Sequence, residues 1–165
     1  MDHLDINSLK NILKNNPNAK VITNNAVGSL LAKEDISFEV IEDGQSTTEK
    51  DVLIEGFGKK HAVIYETLPQ NDNTGYFIAN KFFYPGDAFT NPKKHVEILA
   101  LTVSAPWMKF SESLDYAREL SPKISIPMHD GNVNYSSIIS RIYPMVLDKF
   151  KIKFIMMDLN REYEL

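Results

Sequence analysis

Five side chains in this sequence carry the donor atoms of a divalent-cation site: Asp2 and His3 side by side, then His61, Asp87 and His129. Neutral imidazoles and carboxylates suit a borderline or hard divalent ion such as Zn²⁺ or Mn²⁺. The chain has no cysteine, which excludes a thiolate zinc site, a disulfide and a cysteine nucleophile. One aspartate can bridge two cations through its two oxygens. Two cations ~3.5–4 Å apart would share a water, lower its pKa and orient it for attack.

Taken singly, each position is weak. A histidine at a strand end is more often a partly exposed residue than a ligand, and a Gly-Asp after a strand is more often a plain turn. His95, in NPKKHVEIL, follows two lysines whose charge disfavours a cation, and it stays outside the set. The order Asp-His, His, Asp, His gives the others weight together. His61 follows GFGKK, Asp87 sits in FFYPGDAF and His129 closes KISIPM. Each of these falls where a strand meets a loop, a placement suited to binding and catalytic groups.

The elements that must hold them follow from periodicity. INSLKNILKNN puts Ile6, Leu9, Ile12 and Leu13 on one helical face, with Asp5 or Asn7 as cap and Pro17 beyond its end. AKVITN predicts a short strand, and NAVGSLLAKE a second helix capped by Asn24 or Asn25. The middle of the chain switches period. SFEVIED, KDVLIEGFG, HAVIYET, TGYFIAN and KFFYPGD predict strands, with Asn80-Lys81 as a hairpin tip. VEILALTV predicts a buried strand, FSESLDYARELS a helix capped by Ser111, and KISIPMH a further strand. NYSSIISRIYPMVLDKF predicts a helix interrupted by Pro144, and KIKFIMMD a last strand. This order predicts an α/β (α+β) domain of stacked sheet with helices on its outer faces.

The 165 residues predict a single domain, residues 1–165. Eighteen basic and 22 acidic residues give a net charge of -4, and no long basic run is present, so no nucleic-acid partner is expected. No apolar run approaches the ~18–20 residues of a membrane span, and no signal-peptide pattern opens the chain. A cytoplasmic protein without a membrane partner is the expectation.

The sequence resembles the metallo-β-lactamase superfamily of metal-dependent hydrolases, and within it the branch that includes L-ascorbate-6-phosphate lactonase. The family carries a His-x-His-x-Asp-His motif, a separate His, a Gly-Asp after a strand and a late His. MDHLD looks like the tail of the first motif, with Asp2 and His3 as its Asp-His. His61 matches the separate His, Gly86-Asp87 in YPGDAF the bridging Asp, and His129 in IPMHDG the late His. NTGYFI, VEILALTVSAPWM and ESLDYARELSPKISIPMHDG carry the likeness across nearly the whole chain.

The resemblance implies an αββα sandwich lacking its N-terminal strands, because the two leading histidines of the motif are not in the chain. It implies one metal held by Asp2, His3, Asp87 and His129, and only His61 and Asp87 left for a second. Asp2 would bind metal and orient the nucleophile. The implied reaction is attack of a metal-activated water on an ester, lactone or phosphoester of a small-molecule substrate. Asp130 would hydrogen-bond within the site as a supporting group, or serve only as a turn residue in Asp-Gly. Trp107 in SAPWMKF would wall the cleft or sit in the core. A sheet face left bare by truncation would favour homo-oligomers. The alternative is a truncated, catalytically impaired fragment that binds one metal or none.

Overall fold

The computed structural model describes residues 3–132 and 136–165. Helix α1 (Ile6–Asn15) opens the described chain, and the Asp5 carboxylate caps it by accepting from the Ser8 N–H at 2.6 Å. Strand β1 (Ile22–Thr23) leads into α2 (Asn25–Leu31), whose Asn24 side chain accepts from the Val27 N–H. Strand β2 (Glu39–Val40) returns to pair with β1 in parallel.

Among the described residues the main sheet has seven strands, in chain order. They are β3 (Ser46–Glu49), β4 (Val52–Phe57), β5 (Gly75–Ile78), β6 (Phe82–Tyr84), β7 (Ile98–Thr102), β8 (Ile124–Met128) and β9 (Lys153–Phe154). Pairing is antiparallel from β3 to β6 and parallel from β6 to β9. Helix α3 (Phe110–Leu120) crosses between β7 and β8, and α4 (Ser136–Leu147) between β8 and β9. This is the mixed α/β fold expected from the sequence.

Strand β7 is buried along its whole length, which explains its unbroken apolar run. Its Leu99 and Leu101, with Val103 just beyond, join Phe83, Tyr116, Ala117, Ile139, Tyr143 and Leu147 in one core under α3 and α4. Two buried hydroxyls there are answered. The Ser113 hydroxyl donates to the Thr102 carbonyl at 2.7 Å, and the Tyr143 hydroxyl to the Val103 carbonyl at 3.3 Å.

Several local expectations shift. HAVIYET is not a strand: residues 61–68 form a loop, because its apolar side chains find no sheet neighbour and Val63, Ile64 and Tyr65 stay exposed. The polar segment Ser46–Glu49 is a strand instead, an edge that β4 alone recruits. The β5–β6 tip is Ala79-Asn80, both at positive φ, one residue earlier than Asn80-Lys81. Helix α3 is capped at Lys109 rather than Ser111, with the Glu112 carboxylate reaching back to the Lys109 N–H at 2.6 Å. Asn134 and Tyr135, expected within the last helix, lie outside the described residues.

Two outcomes follow from this packing. Phe83→Ala empties a fully buried position and is expected to lower unfolding free energy by about 3–5 kcal/mol, as read by denaturant titration. Burial pushes Tyr143 up to about 12. The folded chain then keeps a proton that the unfolded chain loses near pH 10, so stability is intact below about pH 10 and falls as pH rises toward 12. Tyr143→Phe should flatten that fall in denaturation curves taken across this range.

Candidate metal centre

Strand direction brings the site together. β4, β6, β7 and β8 run the same way, so their C-terminal ends share one edge of the sheet. Asp87 follows β6, His129 follows β8, and His61 lies four residues beyond β4. The carboxyl ends of parallel strands, here β6 to β8, are a common place for ligands.

Asp87 is the centre. Its Oδ2 lies 2.8 Å from His3 Nε2 and 3.3 Å from His61 Nε2, and its Oδ1 lies 3.6 Å from His129 Nε2. The carboxylate is only 7% exposed. His3 and His129 meet edge to face, with ring centroids 5.1 Å apart. The Tyr84 hydroxyl stands 3.5 Å from His3 Nδ1.

Each ligand-type group is held from behind. His61 Nδ1 is 2.5 Å from the Ala62 carbonyl. A carbonyl only accepts, so Nδ1 carries a proton there and Nε2 faces Asp87. The loop bearing His61 is tied at its base: the His61 N–H donates to the Asn71 carbonyl at 2.9 Å, and the Ala62 N–H to the Asp87 carbonyl at 2.8 Å. His129 sits at φ 64, a left-handed conformation unusual for a residue with a side chain. This bend at the end of β8 swings its ring back over the sheet edge.

Asp87 itself is fixed by a residue that sequence reasoning missed. Asn73, buried just before β5, accepts from the Asp87 N–H through Oδ1 at 2.9 Å and donates to the Pro85 carbonyl through Nδ2 at 3.0 Å. Between these contacts Gly86 takes φ +68, and a Cβ there would lie 2.2 Å from Asn73 Oδ1. In the sequence Asn73 is only the end of the polar stretch PQNDN, and nothing there marks it as different from its neighbours.

The donor set can be tested for a cation. Among the described residues, His3, Asp87 and His129 each offer one ligand atom, and these atoms lie within 4.8 Å of one another. Asp87 Oδ1 is buried without a hydrogen-bond partner. A buried, unanswered carboxylate oxygen is costly, and a cation at this point would answer it. Imidazole and carboxylate are also the right donor chemistry for zinc or manganese. The residues present therefore fit a divalent ion.

Of the expected site residues, the fold brings His3, His61, Asp87 and His129 together. Asp2 lies outside the described residues. Asp130 begins a short 3₁₀ turn (Asp130–Asn132) and is not part of the compact cluster. Trp107 lies against the site, its ring centroid 6.0 Å from that of His61. His95 is exposed and takes no part.

The family model of the beta-lactamase superfamily domain matches residues 1–129, a span that ends on the last histidine of the cluster. The chain belongs to the beta-lactamase superfamily. It is 29% identical over 137 residues to Protein Rv0786c of Mycobacterium tuberculosis (strain ATCC 25618 / H37Rv), a match covering 80% of this chain and 63% of that protein's length. The fold is similar to that of a Parabacteroides distasonis ATCC 8503 protein provisionally described as a metal-dependent hydrolase: TM-score 0.72, 21% identity, 96% of this chain and 72% of that one. It is also similar to Igni18, a metallo hydrolase of Ignicoccus hospitalis KIN4/I: TM-score 0.67, 15% identity, 96% of this chain and 74% of that one.

The clamp on Asp87 makes a specific demand. Gly86→Ala is expected to cost about 2 kcal/mol or more, from strain at positive φ plus the clash with Asn73. In an Asn73→Ala background the clash partner is gone, so the same change should cost only about 1 kcal/mol. A double-mutant cycle by chemical denaturation reads the difference, and strict additivity would disprove the clamp.

Proposed function

We propose that this chain is the metal-binding part of a metal-dependent hydrolase, acting on an ester, lactone or phosphoester of a small molecule in the cytoplasm. The observation that carries the reading is the buried Asp87 carboxylate, ringed by His3, His61 and His129 with one oxygen unanswered. His3, Asp87 and His129 would hold the ion, zinc or manganese, with Asp2 adjacent in sequence as a further donor. When bound, such an ion supplies a lowered pKa for water and charge stabilisation at a carbonyl or phosphoryl oxygen. The names of the two structural neighbours, both described as metal hydrolases, support the same reading.

This chain's own residues do the remaining work. His61 Nδ1 keeps its proton on the Ala62 carbonyl, which holds Nε2 facing the carboxylate. The Asn73 amide holds the Asp87 backbone, so the carboxylate stays aimed. Trp107 and Tyr84 stand beside the cluster and wall the cavity on that side.

The reading is tested by elemental analysis of the full chain after exposure to Zn²⁺ or Mn²⁺ and desalting. About one ion per chain is expected, because the compact donor set holds three of the four clustered residues. Asp87→Asn should abolish uptake, whereas His61→Ala should leave it nearly unchanged. No ion bound to the unmodified chain would overturn the proposal. Hydrolysis of p-nitrophenyl acetate and bis(p-nitrophenyl) phosphate by the loaded chain then separates carbonyl from phosphoryl substrates.

A further inference from the structure

The cluster opens onto two cavities. One, of about 580 Å³, is lined by polar side chains such as Lys60, Gln70 and Asp72 and by apolar ones such as Leu4, Val27 and Leu30. The other, of about 510 Å³, shares His3, His61, Asp87 and His129 with the cluster and is otherwise walled chiefly by Ile64, Tyr84, Pro106, Trp107 and Met128. Both volumes are in the range of small-molecule sites. No lysine, arginine or glutamate is among the described residues that line the second.

Its apolar wall is built, not incidental. Trp107 meets Phe89 edge on, with ring centroids 5.0 Å apart, and Phe89 lies 4.9 Å from Tyr116 on α3. The Tyr116 hydroxyl donates to the Thr90 carbonyl at 2.5 Å. The indole is thus braced through two rings to a core helix. Ile64 belongs to the loop whose base carries His61, and it is 43% exposed. A large aliphatic side chain held half in water beside a candidate reaction centre is one that ligand burial would reward.

We propose that this cavity is an acyl pocket. It takes a neutral aliphatic or aryl-aliphatic chain of the substrate, with the adjoining carbonyl lying toward Asp87. The substrate class is then an ester or lactone of an apolar acid, not a compound that places a phosphate on this side. A phosphate seated among Ile64, Pro106, Trp107 and Met128 would lose water and find no lysine or arginine among the described lining residues. A methylene chain in the same place gains about fourfold in affinity per buried CH₂. The proposal rests on the hydrolase reading only for where the carbonyl lies; occupancy of the pocket is measurable without turnover.

Trp107 is the single tryptophan of the chain, so its emission reports binding against this wall, and Ile64→Ser ties the response to this cavity. The full chain is titrated, with and without Zn²⁺, with butyramide, hexanamide and octanamide, and with inorganic phosphate for comparison. A saturable change in emission is expected for the amides, with Kd falling at least tenfold from butyramide to octanamide. Ile64→Ser, at a half-exposed loop position that folding tolerates, should weaken octanamide about tenfold and butyramide little. The proposal is overturned by no saturable response to any amide, by a response that ignores chain length, by a length dependence that survives Ile64→Ser, or by phosphate binding in place of amides. Chain-length-dependent binding to a chain that takes up no metal would keep the pocket and remove the hydrolase reading. Metal uptake without amide binding would do the reverse.

Discussion

A buried carboxylate facing three imidazoles is the constraint on which this structure turns. Asp87 is 5% exposed, and water does little to solvate its charge. Such a group persists only when neighbours supply positive charge or hydrogen bonds. His3, His61 and His129 approach it from separate parts of the chain, and Asn73 holds its backbone from below. Gly86 is required so that the amide of Asn73 can come that close. The left-handed turn at His129 and the tied base of the His61 loop serve the same point.

The fold supplies the stiffness behind it. The wholly buried β7 lies between the strands that carry Asp87 and His129, and the core under α3 and α4 fixes their register. Side chains at the ends of neighbouring parallel strands are thereby held a few ångströms apart with little conformational entropy left to lose. The antiparallel half of the sheet brings Asn73 and the His61 loop to the same edge from the opposite side. Two cavities meet at the carboxylate, one with Lys60 and Asp72 on its wall and the other with Ile64 and Trp107.

Much of this was legible in the chain itself. Periodicity located the four helices, and alternating or continuous apolar runs located most strands, because those patterns are imposed by burial on one face or two. The cation-binding residue types and the lack of cysteine narrowed the chemistry to imidazole and carboxylate donors. The resemblance carried by MDHLD, YPGDAF and IPMHDG pointed to the superfamily that the family match then established.

Other features were decided only in three dimensions. HAVIYET has strand composition but no partner strand, and β-pairing is a property of neighbours, not of a segment. The polar Ser46–Glu49 is a strand for the converse reason: β4 offers it a ladder. Asn73 is one asparagine in a polar loop until β5 and β6 set it under the Gly86-Asp87 turn. Trp107 could have been core or cleft, and the ring contacts to Phe89 and His61 placed it at the cleft. Sequence set which groups could do chemistry, since that depends on side-chain type. Tertiary structure set which of them meet, since that depends on strand order and direction, to which no single segment is sensitive.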